Sequence, residues 1–311
     1  MVFTGKTKNL GVIGYPIKHS LSPVIQNTAI QEAGIDYAYI AMPIAPEDLE
    51  KAVTGLKALN FTGFNVTIPH KVNIMQYLDE IDEMAKLIGA VNTVYIKDGK
   101  LYGYNTDAIG FINPLLKKNV EIKDKTAVIL GAGGACRAVV CGLIKHGIKN
   151  IILAVRNPAK AQLLANDFKD LVDIKVCDWH SEEFKQYLAQ ADLLVNTTPL
   201  GMEGNIDSKP PVDWESVKKS AFVYDIVYIP AETKFLQEAK EYGHKILNGE
   251  RMLAEQGAAA LHLWTDKDIN VDIMVKTLHD YLIKIIKVCL DRYEHRCMGE
   301  IEMRPVHLFL F

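Results

Sequence analysis

The chain has 311 residues, of which 49% are hydrophobic and 23% charged, values that are ordinary for a globular protein with room for two domains. Its formal net charge of −3, without a block of Lys or Arg, argues against nucleic acid as a partner. Because the sequence has no run near the roughly 20 apolar residues of a membrane span, and no apolar N-terminal segment, we expect a cytoplasmic protein whose partner is a small molecule.

The first hundred residues alternate short apolar strands with helical patterns. The predicted strands are residues 10–15, 37–43, 63–68, 91–96 and 101–105, and the predicted helices begin after Ser22 and at Pro46. We expect Ser22 to cap the first helix, with Pro23 in its first turn. The last two strands flank Asp98-Gly99, a dipeptide typical of a tight hairpin. These elements predict a parallel-rich α/β sheet.

A second alternation begins at residue 125. Its predicted strands are residues 127–130, 150–155, 174–177, 193–197, 222–227 and 245–247, and its predicted helices are residues 135–146, 159–168, 182–190 and 233–242. This rhythm is typical of a doubly wound nucleotide-binding domain. Two final helices, at residues 251–265 and about 271–292, are expected to pack back on the first domain.

A glycine-rich segment, Gly131-Ala132-Gly133-Gly134-Ala135, follows an apolar strand and opens a helix. Small residues let the backbone approach the pyrophosphate of a dinucleotide, and the helix N-terminus favours its negative charge. A tight strand-to-helix turn is the alternative for such a cluster. The alternation that follows favours dinucleotide binding.

The end of the next strand indicates which cofactor is used. NAD enzymes usually carry an acidic residue there for the ribose hydroxyls, but this chain has Arg156-Asn157, with Lys160 one turn further on. Two cations and no carboxylate favour a 2′-phosphate and therefore NADP. A solvated pair of cations at a helix start is the alternative.

Three hydroxyl side chains, and a lysine and an aspartate, follow the ends of other predicted strands. Ser20 and Ser22 could hydrogen-bond a substrate carboxylate, although the same pattern also suits a capped loop. Lys71 alone reads as a surface lysine. Paired with Asp107, and with neutral groups such as Thr67 nearby, it suits proton transfer to a ketone oxygen as hydride arrives at the carbon.

The five cysteines show no CxxC spacing and no matching histidine pairs, so we expect neither a zinc site nor a disulfide framework.

Eight separate segments, spread over residues 10–266 of the chain, follow one another in the order found in a known enzyme family. They are HSLSP ending at Pro23, NVTIPHK ending at Lys71, GAVNT ending at Thr93, GYNTD ending at Asp107, GAGGA ending at Ala135, NTTPLGM ending at Met202, DIVY ending at Tyr228, and residues 249–258. Together they resemble the shikimate dehydrogenase family. The resemblance implies NADPH-dependent reduction of 3-dehydroshikimate to shikimate in aromatic amino-acid biosynthesis.

The resemblance also implies roles for individual residues. Lys71 and Asp107 match the catalytic pair. The positions that match substrate-binding residues are Ser20, Ser22, Thr67, Lys71, Asn92, Asp107, Tyr228 and Gln256, and those that match positions near the cofactor are Glu83, Ile226 and Gly249. The expected fold is an α/β substrate-binding catalytic domain at residues 1–106, completed by helices in residues 249–311, plus a Rossmann-like doubly wound NADP-binding domain at residues 107–248.

Two departures from the family pattern stand out. The usual Asn-Arg-Thr at the adenosine phosphate reads Val155-Arg156-Asn157, and the tail after about Arg292 has no functional interpretation. Two rival functions stay open: a quinate/shikimate dehydrogenase that also uses NAD, and a non-catalytic regulator that binds NADP or shikimate. The presence of both Lys71 and Asp107 argues against the regulator. A homodimer is left open.

Overall fold

The computed structural model describes residues 2–202 and 204–297, so the end of the C-terminal tail, from residue 298, lies outside the described residues. The chain divides into two compact units. The first comprises the described residues up to Ile81, Val91–Tyr104 and the described residues from Gly257 on, and the second comprises Asp82–Ala90 and Asn105–Gln256. None of the helices in the described part of the chain has both the length and the apolar character needed to cross a bilayer.

The first unit is built on a mixed sheet. Its strands are β1 (Lys8–Gly14), β2 (Tyr37–Pro43), β3 (Gly63–Val66), β4 (Glu80–Ile81), β5 (Thr93–Lys97) and β6 (Lys100–Tyr104), in the order β2-β1-β3-β5-β6-β4. The first three are parallel, and β5 is antiparallel to both β3 and β6. Asp98 and Gly99, both at positive φ, form the predicted hairpin turn between β5 and β6.

Helices cover this sheet. They are α1 (Ser22–Glu32), α2 (Leu49–Ala58), which follows a short 3₁₀ turn at Pro46–Asp48, and α10 (Val271–Cys297). On α10 the apolar residues Met274, Leu278 and Leu282 recur every four residues and are buried. The indole of Trp264 donates to the carbonyl of Val94 in β5 at 2.9 Å. The described residues from Gly257 on, which include the end of α9 (Glu250–Thr265) and α10, therefore belong to the first unit, whereas the start of α9 belongs to the second.

The second unit contains a fully parallel sheet. Its strands are β7 (Thr126–Leu130), β8 (Asn150–Val155), β9 (Asp173–Asp178), β10 (Leu193–Asn196), β11 (Phe222–Asp225) and β12 (Lys245–Leu247), in the order β12-β11-β10-β7-β8-β9. The helices of this unit are α3 (Glu83–Ile88), α4 (Asp107–Lys117), α5 (Gly134–Lys145), α6 (Pro158–Asp167), α7 (Glu182–Leu188), α8 (Lys234–Glu241) and the start of α9 (Glu250–Thr265). This strand order is the doubly wound, Rossmann-like arrangement, so the predicted fold class is confirmed.

Two helices of the second unit have no counterpart in the sequence prediction. Helix α3 is short, is capped by the Asp82 carboxylate, which accepts the Met84 N–H at 2.9 Å, and ends at Gly89 with φ of 73°. Helix α4 carries Pro114 in its interior, which normally disfavours a helix because proline lacks the N–H donor. Its buried side chains, among them Phe111 and Leu115, nevertheless pack into the core of the unit.

Candidate active site

Two loops of the first unit lie together at the carboxyl edge of its sheet. One follows β1 and carries Ser20 and Ser22, and the other follows β3 and carries Thr67. The Thr67 N–H donates to the carbonyl of Ile13 at 2.9 Å, and an added Cβ at Gly14 would collide with the Thr67 side chain. The structure thus brings the three predicted hydroxyl residues to one sheet edge, which is where ligands of open α/β sheets bind.

The predicted helix cap at Ser22 is wrong. Helix α1 already begins at Ser22, its N-cap residue is Leu21, and no side chain caps it. The Oγ of Ser20 instead accepts the Ser22 N–H at 3.4 Å, while the Ser22 side chain hydrogen-bonds Tyr39. The helix starts one residue earlier than the sequence pattern indicated, so the capping geometry is lost at Ser22. Pro23 does lie in the first turn, as expected.

The main chain around Lys71 is anchored on both sides. The preceding His70 is buried, and its Nε2 lies 2.7 Å from the carbonyl oxygen of Ile44. The carbonyl of Lys71 accepts the N–H of Val91 at 2.8 Å. Lys71 is half-buried. Its backbone is therefore fixed beside the segment that leads into β5.

Asn92 immediately precedes β5 and is buried. Its N–H donates to the carbonyl of Tyr104 at the end of β6 at 3.0 Å, and its Oδ1 accepts the Thr93 hydroxyl at 2.9 Å. Because β3 and β6 both pair antiparallel with β5, their carboxyl ends lie at the edge where β5 starts. Asn92 therefore belongs to the same edge as the loop that carries Lys71.

Asp107 opens helix α4 in the second unit, three residues after Tyr104. Its N–H donates to the Oδ1 of Asn105 at 3.0 Å, and the amide of Asn105 donates to the carbonyl of Ala90 at 2.9 Å. A carboxylate in the first turn interacts favourably with the helix dipole. These contacts fix the backbone from which the half-buried Asp107 side chain extends.

Gln256 lies on α9, beside the same face of α4. An added Cβ at Gly110 would lie 2.8 Å from the Cβ of Gln256, so only glycine allows this approach. Gly110 is three residues beyond Asp107 and therefore on its face of the helix. The amide of Asn113 holds α9 in place by donating to the Glu255 carboxylate at 3.0 Å. Gln256 thus packs, within the second unit, against the face of α4 that also carries Asp107.

The loop after β11 carries two further predicted positions, Ile226 and Tyr228. Gly249 packs directly on it: its N–H donates to the carbonyl of Val227 at 2.9 Å, and an added Cβ would collide with the carbonyl of Ile226. Glycine at position 249 is therefore explained by close approach of two backbones. Glu83, at the start of α3, is exposed.

Asp225, the first residue of the DIVY segment, to which the sequence assigned no role of its own, is fully buried at the end of β11. Its Oδ1 accepts the Asn196 amide at 3.0 Å and the Val227 N–H at 3.1 Å, and its Oδ2 accepts the Thr233 hydroxyl at 2.6 Å. Burial raises the pKa of the Asp225 carboxyl to about 6, although the three hydrogen bonds oppose the shift. This carboxylate joins the loop after β10 to the loop after β11.

A cavity of about 360 Å³ lies at the carboxyl ends of the strands of the second unit. It is lined by Gly131, Ala132, Gly133, Val155, Arg156, Asn157, Lys160, Trp179, Thr197, Thr198, Pro199 and Leu200. Strands β7 and β10, which contribute loops to it, are neighbours where the chain order of the sheet reverses, the usual position for a nucleotide. Six predicted cofactor residues line this cavity. Gly134 and Ala135 form the start of α5, while Ile226, Gly249 and Glu83 are not part of the lining.

The turn after β7 requires its first glycine. Gly131 has φ of 108°, and an added Cβ would lie 2.8 Å from the Oγ1 of Thr197. Gly133 is the N-cap residue of α5, with open space around its Cβ position. The first N–H groups of a helix lack partners within the helix, so this end of α5 suits an anion.

The far side of the cavity is cationic and partly aromatic. Arg156 and Lys160 are exposed there, and the lining contributed by the described residues includes no carboxylate. Trp179 directly follows β9 and is buried, with its indole N–H donating to His180 at 3.1 Å. Sequence reasoning missed Trp179, although its place after a strand of the parallel sheet was a usable signal.

The described groups can bind a phosphorylated nucleotide and exchange protons. No cluster of three or more His, Cys, Asp or Glu side chains that could hold a metal ion occurs among the described residues. A lysine, a carboxylate and several neutral donors suit a carbonyl or alcohol substrate.

Sequence models of three protein domains match the chain. Residues 12–94 match the shikimate dehydrogenase substrate binding domain, residues 114–226 match shikimate / quinate 5-dehydrogenase, and residues 249–279 match the shikimate 5′-dehydrogenase C-terminal domain. These matches cover most of the chain.

Whole proteins are similar over nearly their full lengths. The shikimate dehydrogenase (NADP(+)) of Methanocaldococcus jannaschii is 44% identical over 91% of this chain and 100% of its own length. The Thermus thermophilus shikimate 5-dehydrogenase, solved with NADP(H) and shikimate, is 34% identical over 88% of this chain and 99% of its own, with a TM-score of 0.80. The quinate dehydrogenase of Corynebacterium glutamicum, solved with NAD, is 30% identical over 88% of this chain and 99% of its own, with a TM-score of 0.81.

Proposed function

The chain belongs to the shikimate dehydrogenase family, and we propose that Lys71 and Asp107 carry out the proton transfer of its reaction. The protein is an NADP-dependent oxidoreductase that acts on a CH–OH group. Its reaction is the reversible reduction of 3-dehydroshikimate to shikimate, a step of the shikimate pathway to the aromatic amino acids.

The cavity of the second unit fits NADP. Bound there, the cofactor supplies the hydride. The backbone at Gly131 and Gly133, together with the N-terminus of α5, approaches the pyrophosphate without side-chain obstruction. Arg156 and Lys160 bind the 2′-phosphate, because two cations and no lining carboxylate favour that group over free ribose hydroxyls.

We assign the substrate carboxylate to Ser20 and Ser22. Their hydroxyls stand at the carboxyl edge of the first sheet, beside Thr67, where a carboxylate can accept hydrogen bonds. Asn92, at the same edge, and Gln256, which packs on the face of α4 that carries Asp107, serve the ring hydroxyls. Tyr228 completes the predicted substrate positions.

Lys71 and Asp107 move the proton that balances hydride transfer. In the reductive direction the Lys71 ammonium donates a proton to the ketone oxygen while hydride adds to the carbonyl carbon, so that C=O becomes CH–OH. The Asp107 carboxylate is the charged partner of this ammonium. In the oxidative direction the neutral Lys71 amine takes the proton from the hydroxyl as hydride leaves the carbon for the cofactor. The support is positional: Lys71 lies five residues after β3, Asp107 lies three residues after β6, and both strands point to the same sheet edge.

We further propose that residues 1–106, completed by residues 249–311, bind the substrate and that residues 107–248 bind NADP. The match of residues 12–94 to a substrate binding domain supports this division. A cytoplasmic location and a homodimer are additional proposals. Size-exclusion chromatography with light scattering distinguishes the monomer from the dimer.

The observation that carries the function is the cationic cavity behind the glycine-rich turn, in a chain of this family. The purified protein should oxidise shikimate with NADP, measured as absorbance at the NADPH band. NAD and quinate should each support a much lower kcat/KM. Equal rates with quinate and NAD would favour the quinate/shikimate dehydrogenase instead, and no turnover with any combination would favour the non-catalytic regulator.

A further inference from the structure

A chain of buried polar side chains crosses the first unit from β2 to the start of β5. The Tyr39 hydroxyl donates to the Oδ1 of Asn65 at 2.6 Å, and the Asn65 amide donates to the Thr93 hydroxyl at 3.0 Å. That hydroxyl in turn donates to the Oδ1 of Asn92 at 2.9 Å. All four residues are at most 7% exposed. The side chain of Asn92 is thus connected to Tyr39 through two intermediaries.

The chain runs in one direction, since each member accepts from the previous residue and donates to the next. Hydrogen bonds arranged in this way polarise and strengthen one another, above all where water is excluded. Burial raises the pKa of Tyr39 well above its usual value, so its hydroxyl remains a neutral donor at the neutral pH of an enzyme assay. The Asn65 amide also donates to the Asn92 carbonyl at 3.1 Å, which fixes the backbone of Asn92 as well.

Tyr39 itself is tied to helix α1. The Asn27 side chain donates to the Tyr39 carbonyl at 2.8 Å and accepts the Tyr39 N–H at 3.0 Å, so the backbone of Tyr39 is locked to this helix. The Ser22 side chain, at the first position of α1, hydrogen-bonds the Tyr39 hydroxyl. Tyr39 is therefore the one described residue that contacts Ser22 at one side and the chain to Asn92 at the other.

We propose that Tyr39 is a positioning residue that holds Ser22 and Asn92 in register for the two ends of the substrate. This inference rests on the proposed function, in which Ser22 binds the carboxylate and Asn92 a ring hydroxyl. Tyr39 does not touch the substrate. It sets the rotamer of Ser22 and the amide plane of Asn92, so that the distance between the Ser22 Oγ and the Asn92 amide is fixed before the substrate binds. Because the Tyr39 O–H is donated to Asn65, the Ser22 hydroxyl donates to Tyr39 in the free protein, and its proton turns to the carboxylate when the substrate binds.

The test compares two variants that each lose one buried tyrosine hydroxyl. Tyr39→Phe removes the hydroxyl that bonds Ser22 and Asn65. Tyr224→Phe is the matched control, because Tyr224 is fully buried, stacks on Phe111 with ring centroids 4.9 Å apart, and its hydroxyl has no hydrogen-bond partner among the described residues. Steady-state kinetics with shikimate and NADP, together with thermal melting, should be measured for both.

The expected result is a split between KM and kcat. Tyr39→Phe should raise the KM for shikimate by about 3- to 10-fold, the worth of roughly one hydrogen bond, with kcat within about twofold of the parent. The KM for NADP should not change, since the proposed cofactor residues belong to the second unit. Tyr224→Phe should change none of these constants. In a double-mutant cycle, Ser22→Ala should add little to Tyr39→Phe, because both remove the same alignment.

Failure of the inference differs from failure of the proposed function. Suppose that the parent oxidises shikimate and that Ser22→Ala raises the KM for shikimate. If Tyr39→Phe then has the same KM as Tyr224→Phe, Tyr39 only fills the core. The same conclusion holds if the effects of Ser22→Ala and Tyr39→Phe on KM simply add. If Ser22→Ala leaves the KM unchanged, the substrate assignment itself is wrong. If Tyr39→Phe does not fold, Thr93→Val interrupts the same chain further along. It should raise the KM for shikimate in the same way, and an unchanged KM would reject the proposal.

Discussion

Asp225 should make the stability of this protein depend on pH in a direction opposite to that of most carboxylates. The carboxyl is fully buried, and burial raises its pKa from 3.8 to about 6. A carboxyl with a raised pKa binds its proton more tightly in the folded than in the unfolded state. It therefore adds stability at pH values below about 4, and this contribution is lost as the pH rises through about 6.

The size of the effect follows from the two pKa values. Their difference of about two pH units corresponds to about 3 kcal/mol between the fully protonated and fully ionised extremes. Between pH 8 and pH 5, where the folded protein is easier to study, roughly 1 kcal/mol of this amount should appear. Solvent screening does not reduce it appreciably, because Asp225 is 0% exposed.

The assay is urea unfolding of the parent and Asp225→Asn at pH 5 and pH 8. Asparagine keeps an oxygen for the donors of Asn196 and Val227 but does not titrate. The free energy of unfolding of the parent, relative to the variant, should rise by roughly 1 kcal/mol on acidification from pH 8 to pH 5. A constant difference, or one that moves the other way, would mean that Asp225 does not bind its proton more tightly in the folded state.

Asp192 provides a control of opposite sign. Burial works to raise its pKa, but hydrogen bonds from Lys218 and the Thr126 N–H, with the charge of Lys218, lower it overall. Its contribution to stability is therefore present at neutral pH and lost on acidification through the folded pKa. Between pH 5 and pH 8 the difference in free energy of unfolding between the parent and Asp192→Asn should therefore stay nearly constant. The parent should lose its advantage only on acidification below the ordinary carboxyl pKa of 3.8.

Two further predictions concern ligand binding. Arg156→Ala should weaken NADP binding by roughly 10- to 150-fold and leave NAD binding nearly unchanged, because a charge-assisted hydrogen bond is worth about 1.5–3 kcal/mol. Fluorescence titration with both cofactors checks this, and equal losses of affinity would mean that Arg156 supports the fold. The double variant Ser20→Ala with Ser22→Ala should raise the KM for shikimate well over tenfold without changing NADP affinity. A folded double variant with the parent's KM for shikimate would exclude these serines as the carboxylate site.

Much of the fold could be predicted because its signals are local. Strand Asn150–Val155 is a largely buried apolar run between turn residues, and its predicted bounds, like those of Lys245–Leu247, are those of the structure. The hairpin at Asp98-Gly99 depends on two residues that accept positive φ. Helix α4 could not be predicted, since Pro114 reads as a helix breaker and only tertiary packing of neighbours such as Phe111 compensates for it.

The parts of the site that were missed depend on contacts distant in sequence. Asp225 and Asn196 are 29 residues apart, and nothing in either segment indicates that the carboxylate is buried between two loops. The same holds for Tyr39 and Asn65, which are separated by 26 residues. Trp179 is different. The rule that ligands gather at the carboxyl ends of parallel strands applies to β9 as it does to β7, and would have found it.

Lys71 and Asp107 are proposed to transfer the proton at the oxygen of the reacting carbonyl group. The most direct measurement is the steady-state rate of shikimate oxidation by Lys71→Ala and Asp107→Asn with saturating NADP, each checked by melting temperature. Both variants should lose roughly 10²- to 10⁴-fold in kcat, the usual worth of a positioned acid or base, with smaller changes in KM and no change in NADP affinity. A folded Lys71→Ala variant that loses less than about tenfold in kcat would contradict the account.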